Sequence, residues 1–223
     1  SIARLELNAK GDLIGLDKAA VKNLSAKISA TKKLPATDAT EEPFYKTLTS
    51  STDARLVDVR YDQFVVDSVQ AEIKSNGATV SLEPVSIQRN VNSLVVKGNY
   101  QLPPPNGKAL EQPADLQLSF RAPQLADYWQ AEAPNKVSGE LQADGSVQIR
   151  QGIANGQLNR SGQEIRAQGR LVKQLSAQIA MAQNVAYLND LTATTTAKSY
   201  LIETGTGKLK KQVNYSEPVT ANL

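Results

Sequence analysis

Apolar and polar residues alternate with a period of two over most of this chain, and that constrains its fold more than any other property. Val57-Asp58-Val59-Arg60-Tyr61, Leu116-Gln117-Leu118-Ser119-Phe120 and Ile165-Arg166-Ala167-Gln168-Gly169-Arg170-Leu171 are three such stretches. Successive side chains of a strand point to opposite faces, so each stretch reads as a strand with one face apolar and the other wet. Between the strands stand Ser75-Asn76-Gly77, Asp144-Gly145, Asn155-Gly156 and Ser161-Gly162, which supply the positive φ that tight hairpin turns demand. Consecutive strands are therefore expected to be antiparallel neighbours.

Two stretches break the alternation and are expected to be loops. Residues 31–51 are rich in Thr, Ser, Ala and Pro, and residues 103–113 open on Pro103-Pro104-Pro105-Asn106-Gly107. Two others have helical spacing. Residues 16–24 carry Leu16, Ala20, Val21 and Leu24 around Asp17, and residues 122–130 carry Pro123 near a start with Leu125, Tyr128 and Trp129 on one face. These predict one or two short capping helices on an otherwise all-β chain, with Tyr128 and Trp129 as packing residues. All 223 residues are expected to form one elongated antiparallel segment. The amino-terminal Ser-Ile-Ala-Arg opens directly on alternation, which is expected of a piece excised from a longer protein.

Composition narrows the function. The chain has no Cys and no His, which removes disulfides, thiol chemistry, the usual zinc ligands and the commonest general base at neutral pH. Neither Glu41-Glu42 nor Asp58 with Asp62 has the setting of a catalytic carboxylate pair, and no nucleophile elbow or phosphate-binding glycine loop is present. The expectation is a non-enzymatic protein without metal or cofactor. The formal charge is +3, and its basic residues form no run interleaved with aromatics, so nucleic acid is not an expected partner. Aromatics are 5% of the chain, too few for the girdles of an outer-membrane barrel.

A repeat adds a positive signal. Residues 87–100 and 158–171 align without a gap: Ile87 with Leu158, Arg89 with Arg160, Leu94 with Ile165, Val96 with Ala167, Gly98 with Gly169, Tyr100 with Leu171. Each block reads as a strand end, a turn, and a strand of the form apolar-x-small-x-Gly-x-apolar. The same form recurs in Leu7-Asn8-Ala9-Lys10-Gly11-Asp12-Leu13 and Leu141-Gln142-Ala143-Asp144-Gly145-Ser146-Val147. By parity the glycines fall on the apolar face, where they permit a bulge, a bend or the close approach of another backbone. Repeated down one face, they would also let a sheet curl and leave a trough that side chains do not fill. The candidate lining is Leu94, Val96, Gly98, Tyr100, Leu116, Leu118, Phe120, Leu141, Ile165, Ala167, Gly169 and Leu171. An ordinary sandwich core would use the same residues.

The spacing Leu82-x-x-Val85-x-Ile87-x-x-Asn90-x-Asn92-x-Leu94-x-Val96-x-Gly98-x-Tyr100-x-Leu102-Pro103 resembles the repeat of the AsmA and TamB superfamily. Leu118-Ser119-Phe120-Arg121-Ala122-Pro123-Gln124-Leu125-Ala126 is similar to that family's strand-to-helix step, and Val137-Ser138-Gly139-Glu140-Leu141-Gln142-Ala143-Asp144-Gly145 to its small-residue turn into a strand. The likeness covers residues 56–175 and departs from the family in lacking a membrane anchor. It implies a long rolled β-sheet with an open hydrophobic groove (a β-taco), located in the periplasm of a diderm bacterium. It also implies a full-length protein anchored in the inner membrane and reaching the outer one, with an outer-membrane protein among its partners. The cargo it implies is phospholipid, whose acyl chains the groove would shield during outer-membrane biogenesis. The competing expectation is a structural or adhesive β-repeat protein whose apolar face is closed against itself.

Overall fold

A computed structural model describes residues 2–16, 19–33, 43–62, 64–128, 137–167, 170–195, 202–204, 207–209 and 219–222. The described chain is all-β. Its strands are β1 (Ile2–Leu16), β2 (Ala19–Lys33), β3 (Leu48–Tyr61), β4 (Phe64–Asn76), β5 (Thr79–Arg89), β6 (Asn92–Gln101), β7 (Ala114–Ala122), β8 (Ser138–Arg150), β9 (Ile153–Ala167), β10 (Arg170–Ala182), β11 (Val185–Thr195), β12 (Ile202–Thr204), β13 (Gly207–Leu209) and β14 (Val219–Asn222). One open antiparallel sheet has the order β1-β2-β3-β4-β5-β6-β7-β8-β9-β10-β11-β14, and β12 and β13 form a small separate pair. Sequential neighbours pair nearly throughout, as short tight connections require.

The chain divides into two compact units. One holds Ser1–Leu118 and Ser146–Ala154, the other Ser119–Gly145 and Asn155–Leu223. In the first, β1 to β6 make a continuous ladder from Ile2↔Lys33 to Thr79↔Gln101. Its main irregularity is at Glu83-Pro84, where β5 carries two residues against one of β6 between the pairs Leu82↔Gly98 and Val85↔Val96. Proline cannot donate to a ladder, so a bulge is where a strand tolerates it. In the second unit, Ala122, Leu125, Ala143 and Ala177 are buried, and the Tyr128 ring packs on Phe120 with centroids 5.9 Å apart.

Several local expectations are corrected. The described residues of the stretch 16–24 are not helical: Leu16 ends β1, and Val21 and Leu24 lie in β2, where Leu24 pairs with Gly11 on one side and Leu56 on the other. So short an isolated helix is marginal in water, while two ladder neighbours satisfy every residue of a strand. Residues 122–130 supply one 3₁₀ turn, Leu125–Tyr128, and Trp129 lies outside the described residues. The loop expected at 31–51 is shorter, because β2 continues to Lys33 and β3 begins at Leu48 after a 3₁₀ turn at Phe44–Thr47. The stretch 102–113 does lie outside the strands and contains the turn Ala109–Glu111.

Of the four expected turns, Gly77 makes one, with φ +62, between the paired Asn76 and Thr79. Asp144-Gly145, Asn155-Gly156 and Ser161-Gly162 instead lie inside β8 and β9. The chain reverses at dipeptides with weaker turn signatures. Gln151 (φ 53) with Gly152 (φ 77), and Gln183 (φ 52) with Asn184 (φ 66), both place two consecutive residues at positive φ, as a type I′ hairpin requires.

Candidate functional site

The ladder of the first unit sorts side chains into two faces, because residues directly opposite each other on antiparallel strands share a face. One row runs Leu94, Ile87, Val69, Leu56, Leu24, Gly11. The next runs Val96, Val85, Ala71, Ala54, Ala26, Ala9, and the one after it Gly98, Leu82, Ile73, Thr52, Ile28, Leu7. Only Thr52 in these three rows is polar. The alternate rows are mostly polar, such as Glu6, Ser29, Ser51, Lys74, Ser81, Asn99 and Lys10, Ser25, Arg55, Gln70, Ser86, Val95, with Val57 also on that face opposite Asn23. Six strands thus carry one apolar and one mostly polar face.

No residue of those three apolar rows is buried; nearly all are half-buried, and Leu7 is 49% exposed. Among the described residues the buried hydrophobics are four alanines, Ala114, Ala122, Ala143 and Ala177, with Leu125. A closed sandwich buries its large inward-facing aliphatic side chains. Among the described residues these rows form no such core, and the apolar face stays partly accessible.

The polar face is laced with ion pairs. The Lys74 ammonium lies 2.8 Å from Glu72 and 2.6 Å from Glu83, and the hydrogen bonds it donates, first to Glu72 and then to Glu83, raise its pKa above the ordinary lysine value. Two depressions flank the Glu83-Pro84 bulge. One of about 460 Å³ is lined chiefly by Lys27, Asp53, Arg55, Gln70 and Glu72, the other of about 600 Å³ by Lys97, Asn99, Asp115 and Gln117 with Leu82. Both open mainly among polar side chains. Among the described residues no group of acidic side chains has the arrangement of a metal site, and no helix is long and apolar enough to cross a membrane.

The candidate lining residues fall in both units. In the first, Leu94, Val96, Gly98 and Tyr100 share a face through their partners Ile87, Val85, Leu82 and Val80, and all are half-buried. Leu116 and Leu118, two residues apart on β7, share a face and are also half-buried. The Tyr100 hydroxyl donates to the Ala109 carbonyl at 3.0 Å, which ties that ring to the loop beyond β6. Gly98 is not a gap for a guest. It has φ +148, and a Cβ there would collide with the Asp115 carbonyl oxygen of β7, so the close approach of a backbone accounts for it.

In the second unit, Phe120 lies under Tyr128, Leu141 is half-buried on β8, and Ile165 and Ala167 share a face through the pairs Ile165↔Val172 and Ala167↔Arg170. Leu171 pairs with Arg166, on the opposite face from Ile165. Strand parity fails to carry from Ile165 to Leu171 because β9 ends at Ala167 and β10 returns antiparallel from Arg170. Gly169 lies outside the described residues.

Parity around the glycines missed the larger part of the apolar face, which β2 to β5 supply. The signal was present in Leu24-x-Ala26-x-Ile28-x-Ala30 and Thr52-x-Ala54-x-Leu56. Helical spacing before the first and the polar loop before the second masked it. Comparison with known proteins found no family model, no curated protein and no solved structure that matches this chain.

Proposed function

We propose that this chain is a non-enzymatic lipid-binding segment whose apolar sheet face shields phospholipid acyl chains between the inner and outer membranes of a diderm bacterium. The observation that carries the reading is the apolar face of β1 to β6, none of whose three rows contains a fully buried residue, backed by a mostly polar face. An apolar face of this extent that is left partly accessible suits a surface that meets something apolar. At about 0.8 kcal/mol per methylene, bringing roughly thirty acyl methylenes into water costs on the order of 20 kcal/mol, and a surface that replaces water along the path lowers that barrier. Six strands at about 4.8 Å per step span roughly 24 Å, which exceeds one leaflet's share of a hydrocarbon core of about 30 Å.

The composition of the rows suits movement over retention. Ala9, Ala26, Ala54 and Ala71 make a smooth strip flanked by aliphatic residues, without a shaped pocket that would trap one lipid. The resemblance to the AsmA and TamB superfamily supplies the setting: the periplasm, an anchored full-length protein and a role in outer-membrane biogenesis.

Site-specific photocrosslinking in the intact cell envelope tests the proposal. A benzophenone side chain at Val96, Val85 or Ala167 should trap phospholipid, and one at Lys97 should not. Lipid adducts absent from all three apolar positions, or confined to Lys97, would overturn it in favour of a structural β-repeat.

A further inference from the structure

We infer that Arg160 holds the phosphodiester group of a phospholipid whose acyl chains lie on the apolar face around it. The inference rests on the lipid-binding reading and adds the residue that fixes the headgroup. The second unit has an apolar face of its own, because β9 and β10 pair in unbroken register from Gly156↔Met181 to Gly162↔Leu175. Leu158↔Ile179, Arg160↔Ala177 and Gly162↔Leu175 stand on one face, and Asn159↔Gln178 and Ser161↔Ser176 on the other. β11 continues the central row with Leu191 opposite Ala177. The first set is buried or half-buried, whereas Asn159, Ser161, Ser176 and Gln178 are all exposed.

One permanent positive charge therefore sits within an apolar surface, and none of the six residues around it is a carboxylate. The Arg160 Nε is buried and makes no hydrogen bond, while the residue as a whole is only half-buried. A buried polar group without a partner is costly, more so when charged, and calls for an explanation. Packing does not supply one, because methionine would offer an apolar stem without the charge. Position in the repeat does not supply one either. The aligned Arg89 ends β5 at a hairpin, opposite Asn92, whereas Arg160 is in mid-strand. An anion arriving on an apolar carrier does explain it. Guanidinium and phosphate match in planar, bidentate hydrogen bonds. Ala177 across the ladder and Gly162 along the strand project little above the sheet, which leaves room beside the guanidinium. A phospholipid brings both parts at once: acyl chains for Leu158, Leu175 and Ile179, and a phosphodiester for Arg160.

Isothermal titration of the full chain with dioctanoyl phosphatidylglycerol and with dioctanoylglycerol, which has the same acyl chains and no phosphate, tests the assignment. Arg160→Gln should raise the dissociation constant for the phosphatidylglycerol about tenfold and leave that for dioctanoylglycerol unchanged. Lys10→Gln, exposed on the polar face of β1, should change neither. Urea denaturation of the lipid-free chain gives a second readout. Arg160→Met replaces an unpaired charge by an apolar stem and should raise the midpoint, whereas it would lower the midpoint if a carboxylate of the chain were the partner. The inference alone would be overturned by that lower midpoint, by an Arg160→Gln that weakens both lipids equally or neither, or by one that weakens octanoate and spares phosphatidylglycerol. Binding of neither lipid to the unaltered chain would overturn the lipid-binding reading with it.

Discussion

Residues 87–100 and 158–171 repeat one sequence pattern and take two structures. In the first block the chain reverses at Asn90 and Val91, between the paired Arg89 and Asn92, with Asn90 at φ +50, and Gly98 lies within β6 beside the bulge at Glu83-Pro84. In the second, the aligned Ser161 and Gly162 lie mid-strand in β9, paired with Ser176 and Leu175, and the reversal falls between Ala167 and Arg170. Asparagine adopts the left-handed region more readily than serine, which favours a turn at Asn90. Gly162 serves another need: a Cβ there would lie 2.5 Å from the Ile165 side chain and 3.0 Å from the Glu140 carbonyl oxygen. Glycines at unmatched positions of the two blocks therefore serve different needs, a backbone close approach at Gly98 and side-chain crowding at Gly162, while Gly169, which aligns with Gly98, lies outside the described residues.

The sharpest way to break this comparison is at the glycines. Gly98→Val combines the positive φ with a collision against the Asp115 backbone, which cannot retreat without disturbing β7, and should cost about 3 kcal/mol or more in urea denaturation. Gly162→Ala meets chiefly the flexible end of Ile165, which can rotate away, and should cost about 1–2 kcal/mol. Equal costs would mean that the two glycines serve one purpose after all.

A smaller effect separates the turn from its aligned counterpart. Asn90→Val forces a β-branched residue to φ +50 and should lose about 1–2 kcal/mol, whereas Ser161→Val, exposed in mid-strand, should change stability by less than about 0.5 kcal/mol. A costly Ser161→Val with a neutral Asn90→Val would reverse the assignment.

The class of fold was legible because alternation is a local property: Val57 to Tyr61 and Leu116 to Phe120 lie in strands, as their period requires. Turn positions were less legible, because Ser-Gly and Asp-Gly permit a reversal without imposing one. Whether Gly162 turns or stays extended is decided by Leu175, Ile165 and Glu140, all distant from it in pattern if not in sequence. The candidate face was half legible for a related reason. Parity assigned Leu94, Val96 and Tyr100 correctly to one face, but it cannot cross a reversal, so Leu171 was assigned to the face of Ile165 when it lies on the other. The rows through β2 to β5 depend on register between strands, which no single segment encodes.

The smallest expected effect tests another turn-like dipeptide, Asp144-Gly145. Asp144-Gly145 has the composition of a turn but continues β8, where the Arg121 guanidinium lies 2.8 Å from the Asp144 carboxylate. That guanidinium first, and a hydrogen bond from Ser119 second, hold the Asp144 pKa below the usual carboxylate value. A folded pKa below the unfolded one contributes stability that is present above about pH 3.9 and is lost as pH falls through the folded value. Asp144→Asn should therefore lower the urea midpoint slightly at pH 7 and leave it unchanged near pH 2, with the effect kept small by the 55% exposure of the side chain. In a turn, by contrast, asparagine replaces aspartate in bonding its own backbone at any pH. A substitution that is neutral at both pH values would return Asp144-Gly145 to the class of Asn90, whereas a loss confined to neutral pH places it with Ser161-Gly162, inside a strand and held by its neighbours.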